Sequence, residues 1–122
     1  MFTDSVRPVI DAGFVEPVES DTALTRDVHR KMTPGHTPGH LSVWVGHRCV
    51  ITGDVLRHPI RCRHPEWRAR GDADPDAVRA MRRALLAAAA TTNALVLGTH
   101  FTGTAAGRIL SSDQGYRVAP QP

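Results

Sequence analysis

Three short stretches hold the residues best suited to chemistry. "TPGHTPGH" (33–40) presents His36 and His40 on Pro-Gly turns, "VITGD" (50–54) ends an apolar run on Asp54, and "VLGTHF" (96–101) ends another on His100. Imidazole nitrogen and carboxylate oxygen are donors that zinc and comparable divalent ions accept. Layered α/β folds gather ligands at strand ends, where loops converge their side chains. His36, Asp54 and His100 each follow an extended segment, so together they form a candidate metal-ligating set. His40 reads as a hydrogen-bonded packing residue beside it.

The elements that must position this set follow from periodicity. Residues 27–32, "DVHRKM", alternate as a strand that ends at the Pro-Gly turn. "LSVWV" (41–45) and "RCVIT" (48–52) are rich in β-branched residues and joined through Gly46-His47 as a hairpin. Trp44 alternates with Val43 and Val45, which puts it on the opposite sheet face, under a helix. That helix is expected after Asp74 as cap and Pro75 as first residue, with Val78, Met81, Leu85 and Ala88 or Ala89 inward and Arg79, Arg82 and Arg83 facing water. "ALVLGTHF" reads as a buried strand, and "GRILSSDQGYRV" as an edge hairpin turning at Asp113 to Gly115. A short helix is expected from Ser5 to Ala12, with Val6, Val9 and Ile10 on one face, and "FVEPVES" after it is extended. The mixture gives an α/β or α+β class.

Between Asp54 and Asp74 no period is sustained, and a loop of that length is usually functional or disordered. His58 and His64 in it lie at the expected mouth of the site, either as loop histidines without a role or as substrate contacts. Trp67 reads as an anchor for the loop or as a further substrate contact. His29 and His47 are expected to face solvent.

Composition narrows the class. At 122 residues, with 41% hydrophobic and 22% charged residues, the chain suits one domain, 1–122, with a modest core. No apolar stretch is long enough to cross a bilayer, and "MFTDSVRPVI" lacks the pattern of a secretory signal, which favours the cytoplasm and no membrane partner. Cys49 and Cys62 form no CxxC pair and read as ordinary thiols. A formal charge of +3, carried by arginines and the single Lys31, raises nucleic acid as a partner. The basic stretch Arg57, Arg61, Arg63, Arg68 and Arg70 has Trp67 as its lone aromatic and no recognisable module around it, so it reads as a solvated face and nucleic acid is set aside.

"TPGHTPGHLSVWV", "VITGD" and "VLGTHF", in this order and over about residues 24–101, resemble the second half of the metallo-β-lactamase superfamily, nearest its lactonase-like and organophosphate-hydrolase-like branches. The resemblance implies half of an αββα sandwich, a mixed sheet with flanking helices. It also implies roles: His36 on one metal, His100 on the second, Asp54 bridging both and holding the hydroxide between them, and His40 supporting the site structurally. Two divalent ions, zinc first, about 3.5–4 Å apart would make water nucleophilic near neutral pH against an ester, lactone or phosphotriester type of bond in a small-molecule substrate.

One departure sets the expectation for the whole chain. The superfamily's first-half signature, HxHxDH, does not occur among the seven histidines, at 29, 36, 40, 47, 58, 64 and 100. What remains is two protein donors per ion, short of the three that a catalytic zinc takes. The chain therefore reads as a truncated C-terminal half of a hydrolase, binding metal weakly by itself, with a missing N-terminal half as partner. The competing reading is a non-catalytic remnant or interaction module. Either leaves a sheet face uncovered, Leu41, Val43 and Val45 with Val50 and Thr52 or the alternate set, and implies self-association.

Overall fold

The computed structural model describes residues 2–18, 20–103 and 105–121. Seven strands form one mixed sheet in the order β1 (Thr22–Ala23), β2 (Val28–Met32), β3 (Leu41–Val45), β4 (Cys49–Ile51), β5 (Leu95–Leu97), β6 (Ala106–Ser112) and β7 (Gly115–Pro120). All neighbours are antiparallel except β4 and β5, which are parallel. The long connection between those two carries a 3-10 turn (Gly53–Leu56), α2 (Ile60–Arg63) and α3 (Pro75–Thr92), since parallel neighbours need a crossover rather than a hairpin. The result is a mixed sheet with flanking helices, as expected from the sequence.

Strand direction places the candidate residues. β2 and β4 flank β3 and both run against it, and β5 runs with β4, so β2, β4 and β5 share one direction. Their C-terminal ends therefore open at the same end of the sheet, where the segments bearing His36, Asp54 and His100 begin. β2 and β4 are not adjacent; β3 lies between them.

The core lies between α3 and one sheet face. Asp74 caps α3, its carboxylate accepting from the N–H groups of Asp76 and Ala77 at 3.0 Å each, with Pro75 as the first helical residue. At the other end Asn93 turns into the left-handed region at φ 52°. Val78, Leu85, Leu86 and Ala89 are buried with Trp44, Val50, Val96, Phe101 and Ile109. Trp44 thus lies on the helix-covered face, as its alternation indicates.

On the opposite face no described residue is fully buried. The register aligns Val28, Val45, Cys49 and Leu95 in one row and Arg30, Val43, Ile51 and Leu97 in the next. All are half-buried except Ile51, which is 41% exposed. Val50 and Thr52 do not belong with this set: Val50 pairs with Trp44, and both it and Thr52 are fully buried on the helix side. The three-residue turn Gly46 to Arg48 sets this register by opposing Val45 to Cys49.

A helical segment is present at the N-terminus as expected, and one reading of α3 is corrected. The N-terminal segment forms a π-helical turn (Phe2–Val6) and α1 (Arg7–Asp11), but neither buries a residue, so Val6, Val9 and Ile10 stay exposed. Arg82 does not face water; it is among the largest fully buried side chains. Its Nε donates to the Val55 carbonyl at 2.9 Å, and its Nη1 to the carbonyls of Pro65 and Trp67 at 2.6 and 3.1 Å. Burial pulls its pKa down, the charge of Arg61 adds to that pull, and Asp72 opposes it. The signal was present in the sequence: position 82 is four after Val78 and three before Leu85, on the apolar stripe rather than beside it.

Candidate metal centre

The structure brings His36, Asp54 and His100 together around one carboxylate. His36 Nε2 is 3.1 Å from Asp54 Oδ2, and His100 Nε2 is 2.8 Å from Asp54 Oδ1. Exposure grades across the cluster, from 14% at His36 through 30% at Asp54 to 46% at His100. The Arg57 guanidinium lies 3.9 Å from Asp54 Oδ1. Behind His100, the buried Phe101 anchors its loop, with the Phe101 N–H bonded to the Gly98 carbonyl at 3.2 Å.

Each residue is held by a local device. The His36 loop is zipped to the start of α3: Ala73 N–H donates to the His36 carbonyl at 3.1 Å and Asp74 N–H to the Gly35 carbonyl at 2.8 Å. Gly35 permits this approach, since its φ is +126° and a Cβ there would lie 2.2 Å from the Val78 nitrogen. Asp54 is held through its backbone. Its N–H donates to His40 Nε2 at 2.8 Å, across Gly53, where a Cβ would meet that same nitrogen at 2.6 Å.

The bond from Asp54 fixes a whole buried chain of protons. Because His40 Nε2 accepts, a neutral His40 carries its proton on Nδ1 and donates to Thr33 Oγ1 at 2.7 Å. Thr33 then donates to Ser42 Oγ at 3.1 Å, and Ser42 to the Thr52 carbonyl at 3.0 Å. Thr33, Ser42 and Thr52 are all buried. Burial holds the His40 pKa below its ordinary value; the Thr33 backbone and the Asp54 charge work against that.

Asp72 was not read from the sequence. Its side chain is fully buried, with Oδ1 3.0 Å from His36 Nδ1 and Oδ2 accepting from the Ala69 N–H at 3.0 Å. Burial by itself pushes the carboxyl up, but the His36 and Ala69 bonds, with Arg61 and Arg82 nearby, outweigh it and hold Asp72 below the usual carboxylate range. The only local cue is an Asp after Gly71 near a helix cap, which is too common to single out.

The remaining candidates keep to their own surroundings. His58 Nδ1 accepts from the Ile60 N–H at 3.1 Å. His64 lies 3.4 Å from Glu66 and stacks on Trp67 with centroids 4.4 Å apart. Trp67 is 50% exposed, and its carbonyl, accepting from Arg82 at 3.1 Å, ties the loop to α3 through the backbone. His47 is exposed, whereas His29 is half-buried in a cleft with Trp44.

The donor chemistry fits divalent metal. With metal–ligand bonds of about 2.0–2.2 Å, two donors on one ion stand roughly 3 Å apart, which is the separation of each histidine from its Asp54 oxygen. The two histidines use different oxygens, and among the described residues no three His, Cys, Asp or Glu side chains form a set that could hold an ion.

By sequence the chain matches no family model and no curated protein. By structure it is similar to AidC, a dizinc quorum-quenching lactonase in complex with a product, at TM-score 0.80 and 19% identity, over 99% of this chain and 47% of that one. It is similar to the hydrolase AbOPH of the β-lactamase superfamily at TM-score 0.77 and 21% identity, over 97% of this chain and 42% of that one. A probable metal-dependent hydrolase from Staphylococcus aureus follows at TM-score 0.72 and 16% identity, over 88% and 39%. The chain therefore has the metallo-β-lactamase fold and spans less than half the length of each of these structures. No helix of it is long and apolar enough to cross a membrane.

Proposed function

We propose that the chain is the C-terminal half of a metal-dependent hydrolase of the metallo-β-lactamase superfamily, acting on an ester, lactone or phosphotriester type of bond once an HxHxDH-bearing half completes the site. The observation that carries this reading is the Asp54 carboxylate, with one oxygen against His36 and the other against His100 at the shared end of three co-directional strands. His36 and Asp54 would hold one ion, His100 and Asp54 the other. When bound, divalent metal, zinc first, supplies a water acidic enough to attack near neutral pH and polarises the oxygen of the bond under attack.

The chain's own residues supply position. Asp54 sets the spacing of the two half-sites, and His40 holds the Asp54 backbone N–H while the carboxylate oxygens face His36 and His100. Arg57, the closest cation to Asp54, is placed to meet negative charge developing on a substrate.

Equilibrium dialysis against zinc at neutral pH tests the half-site. We expect weak uptake by the lone chain, reduced further by Asp54→Ala; two tightly held ions per chain would overturn it. Co-expression with an HxHxDH-bearing half from a related enzyme is expected to give a stable complex that hydrolyses an activated ester. A second reading, a non-catalytic module, is favoured by the half-buried apolar face around Val43 and Ile51, and failure of complementation with persistent self-association would support it.

A further inference from the structure

The sheet face turned away from α3 is apolar at its centre and cationic at its margins. By register its centre is Val43, Val45, Cys49, Ile51, Leu95 and Leu97, on β3 to β5. Arg30 on β2 borders that centre on one side, and Arg108 on β6 with Arg117 on β7 on the other. No residue that the register places on this face is acidic. Arg30 is half-buried, and its Nε is sealed from solvent with no hydrogen-bond partner among the described residues. A buried guanidinium N–H left unpaired is destabilising, and a carboxylate is the acceptor that suits it best.

A second copy of this chain does not supply that acceptor. Whichever way two copies are turned face to face, margin meets margin and arginine meets arginine. The rows of half-buried side chains across three central strands suit a facing sheet, which packs about 10 Å away through such a plane. Each similar structure has more than half its length outside the part that this chain matches, which is room for such a face.

We propose that this face docks a second polypeptide whose own face has an apolar centre and carboxylates at its margins, one of them opposite Arg30. That the partner is the HxHxDH-bearing half rests on the hydrolase reading given above; the acid-margined chemistry does not. Self-association then covers the apolar centre but leaves the arginines unpaired, so an acidic partner displaces a second copy.

A charge-reversed copy of the chain, Arg30→Glu with Arg108→Glu, keeps the apolar centre and carries acids where the native face carries arginines, so it serves as the probe. Cys49 is half-buried on this face while Cys62 is fully buried on the helix side, so alkylation of Cys49 by iodoacetamide reports coverage. In dilute mixtures, wild type is expected to bind the reversed copy at least about tenfold more tightly than it binds itself, with Cys49 alkylation slowed to match. Salt is expected to loosen that mixed complex and to tighten wild-type self-association, because it screens attraction in the first and repulsion in the second. If the double variant fails to fold, Arg30→Glu alone is mixed instead, with the same expectation at smaller amplitude.

No preference for the mixture over wild type alone overturns the proposal. A tight wild-type dimer that Arg30→Glu weakens would make a second copy the occupant, and Cys49 protected by phosphatidylcholine–phosphatidylglycerol vesicles but not by the mixture would make it a lipid surface. An HxHxDH-bearing half from a related enzyme is expected to bind wild type and not the reversed copy; equal binding to both, or to neither, overturns that half as the acid-margined partner. Docking without zinc uptake or ester hydrolysis would keep the proposal and overturn the hydrolase reading.

Discussion

At the scale of single residues, His40 sits where a proton has the largest structural effect. Its folded pKa is lowered by burial, so the unfolded chain takes up the proton first as pH falls. Its contribution is complete above the ordinary histidine value of about 6.5 and is lost as pH drops below it toward the folded value. Wild type is therefore expected to melt at progressively lower temperature from pH 7 to pH 5, and His40→Gln to show a shallower decline. Equal slopes in a thermal scan would remove His40 as the titrating group. Asp72 has the same sign in a more acidic window: its lowered pKa gives stability that is present above the ordinary carboxylate value and is lost as pH falls through the folded one. His40→Ala at pH 7, which leaves the Asp54 N–H and Thr33 hydroxyl without their partner, is expected to cost about 1–3 kcal/mol in urea unfolding.

At the scale of elements, α3 is the organiser, and it shows what the sequence could and could not reveal. The hairpin strands, the Asp74 cap and the placement of Trp44 were legible because each depends on local periodicity or on capping chemistry. The segment from Gly53 to Asp72 was not, because its order comes from outside itself: Arg82 collects the carbonyls of Val55, Pro65 and Trp67, so charge and burial had to be weighed together at one position. The convergence of His36, Asp54 and His100 could be read from their motifs, while Asp72 became visible only once the crossover brought it behind His36. Arg82→Leu is expected to lower unfolding stability by about 3 kcal/mol by stranding three carbonyls, measured by chemical denaturation. Gly35→Ala, with its Cβ driven against the start of α3, is expected to be worse tolerated than Gly13→Ala, where a Cβ meets nothing within 4 Å. Similar melting of the two variants would show that the His36 loop is not pinned to the helix.

At the scale of the molecule, one sheet face is covered by helix and the other is an apolar plane crossed by Val43, Val45, Ile51, Leu95 and Leu97. Such a surface promotes association. The lone chain is expected to increase in apparent mass with concentration in light scattering, and Val43→Lys with Ile51→Lys to abolish that rise while leaving the helix-covered core intact. A monomer at every concentration would show that the plane needs no cover. The parallel pairing of β4 with β5 has a temporal consequence. His36 and Asp54 can meet through antiparallel neighbours formed in sequence, but His100 reaches Asp54 only after the whole crossover, with α3 in it, has closed. The cluster is thus assembled in two stages, an early pair and a late third member, and during refolding helix content should return before His100 reaches the Asp54 carboxylate.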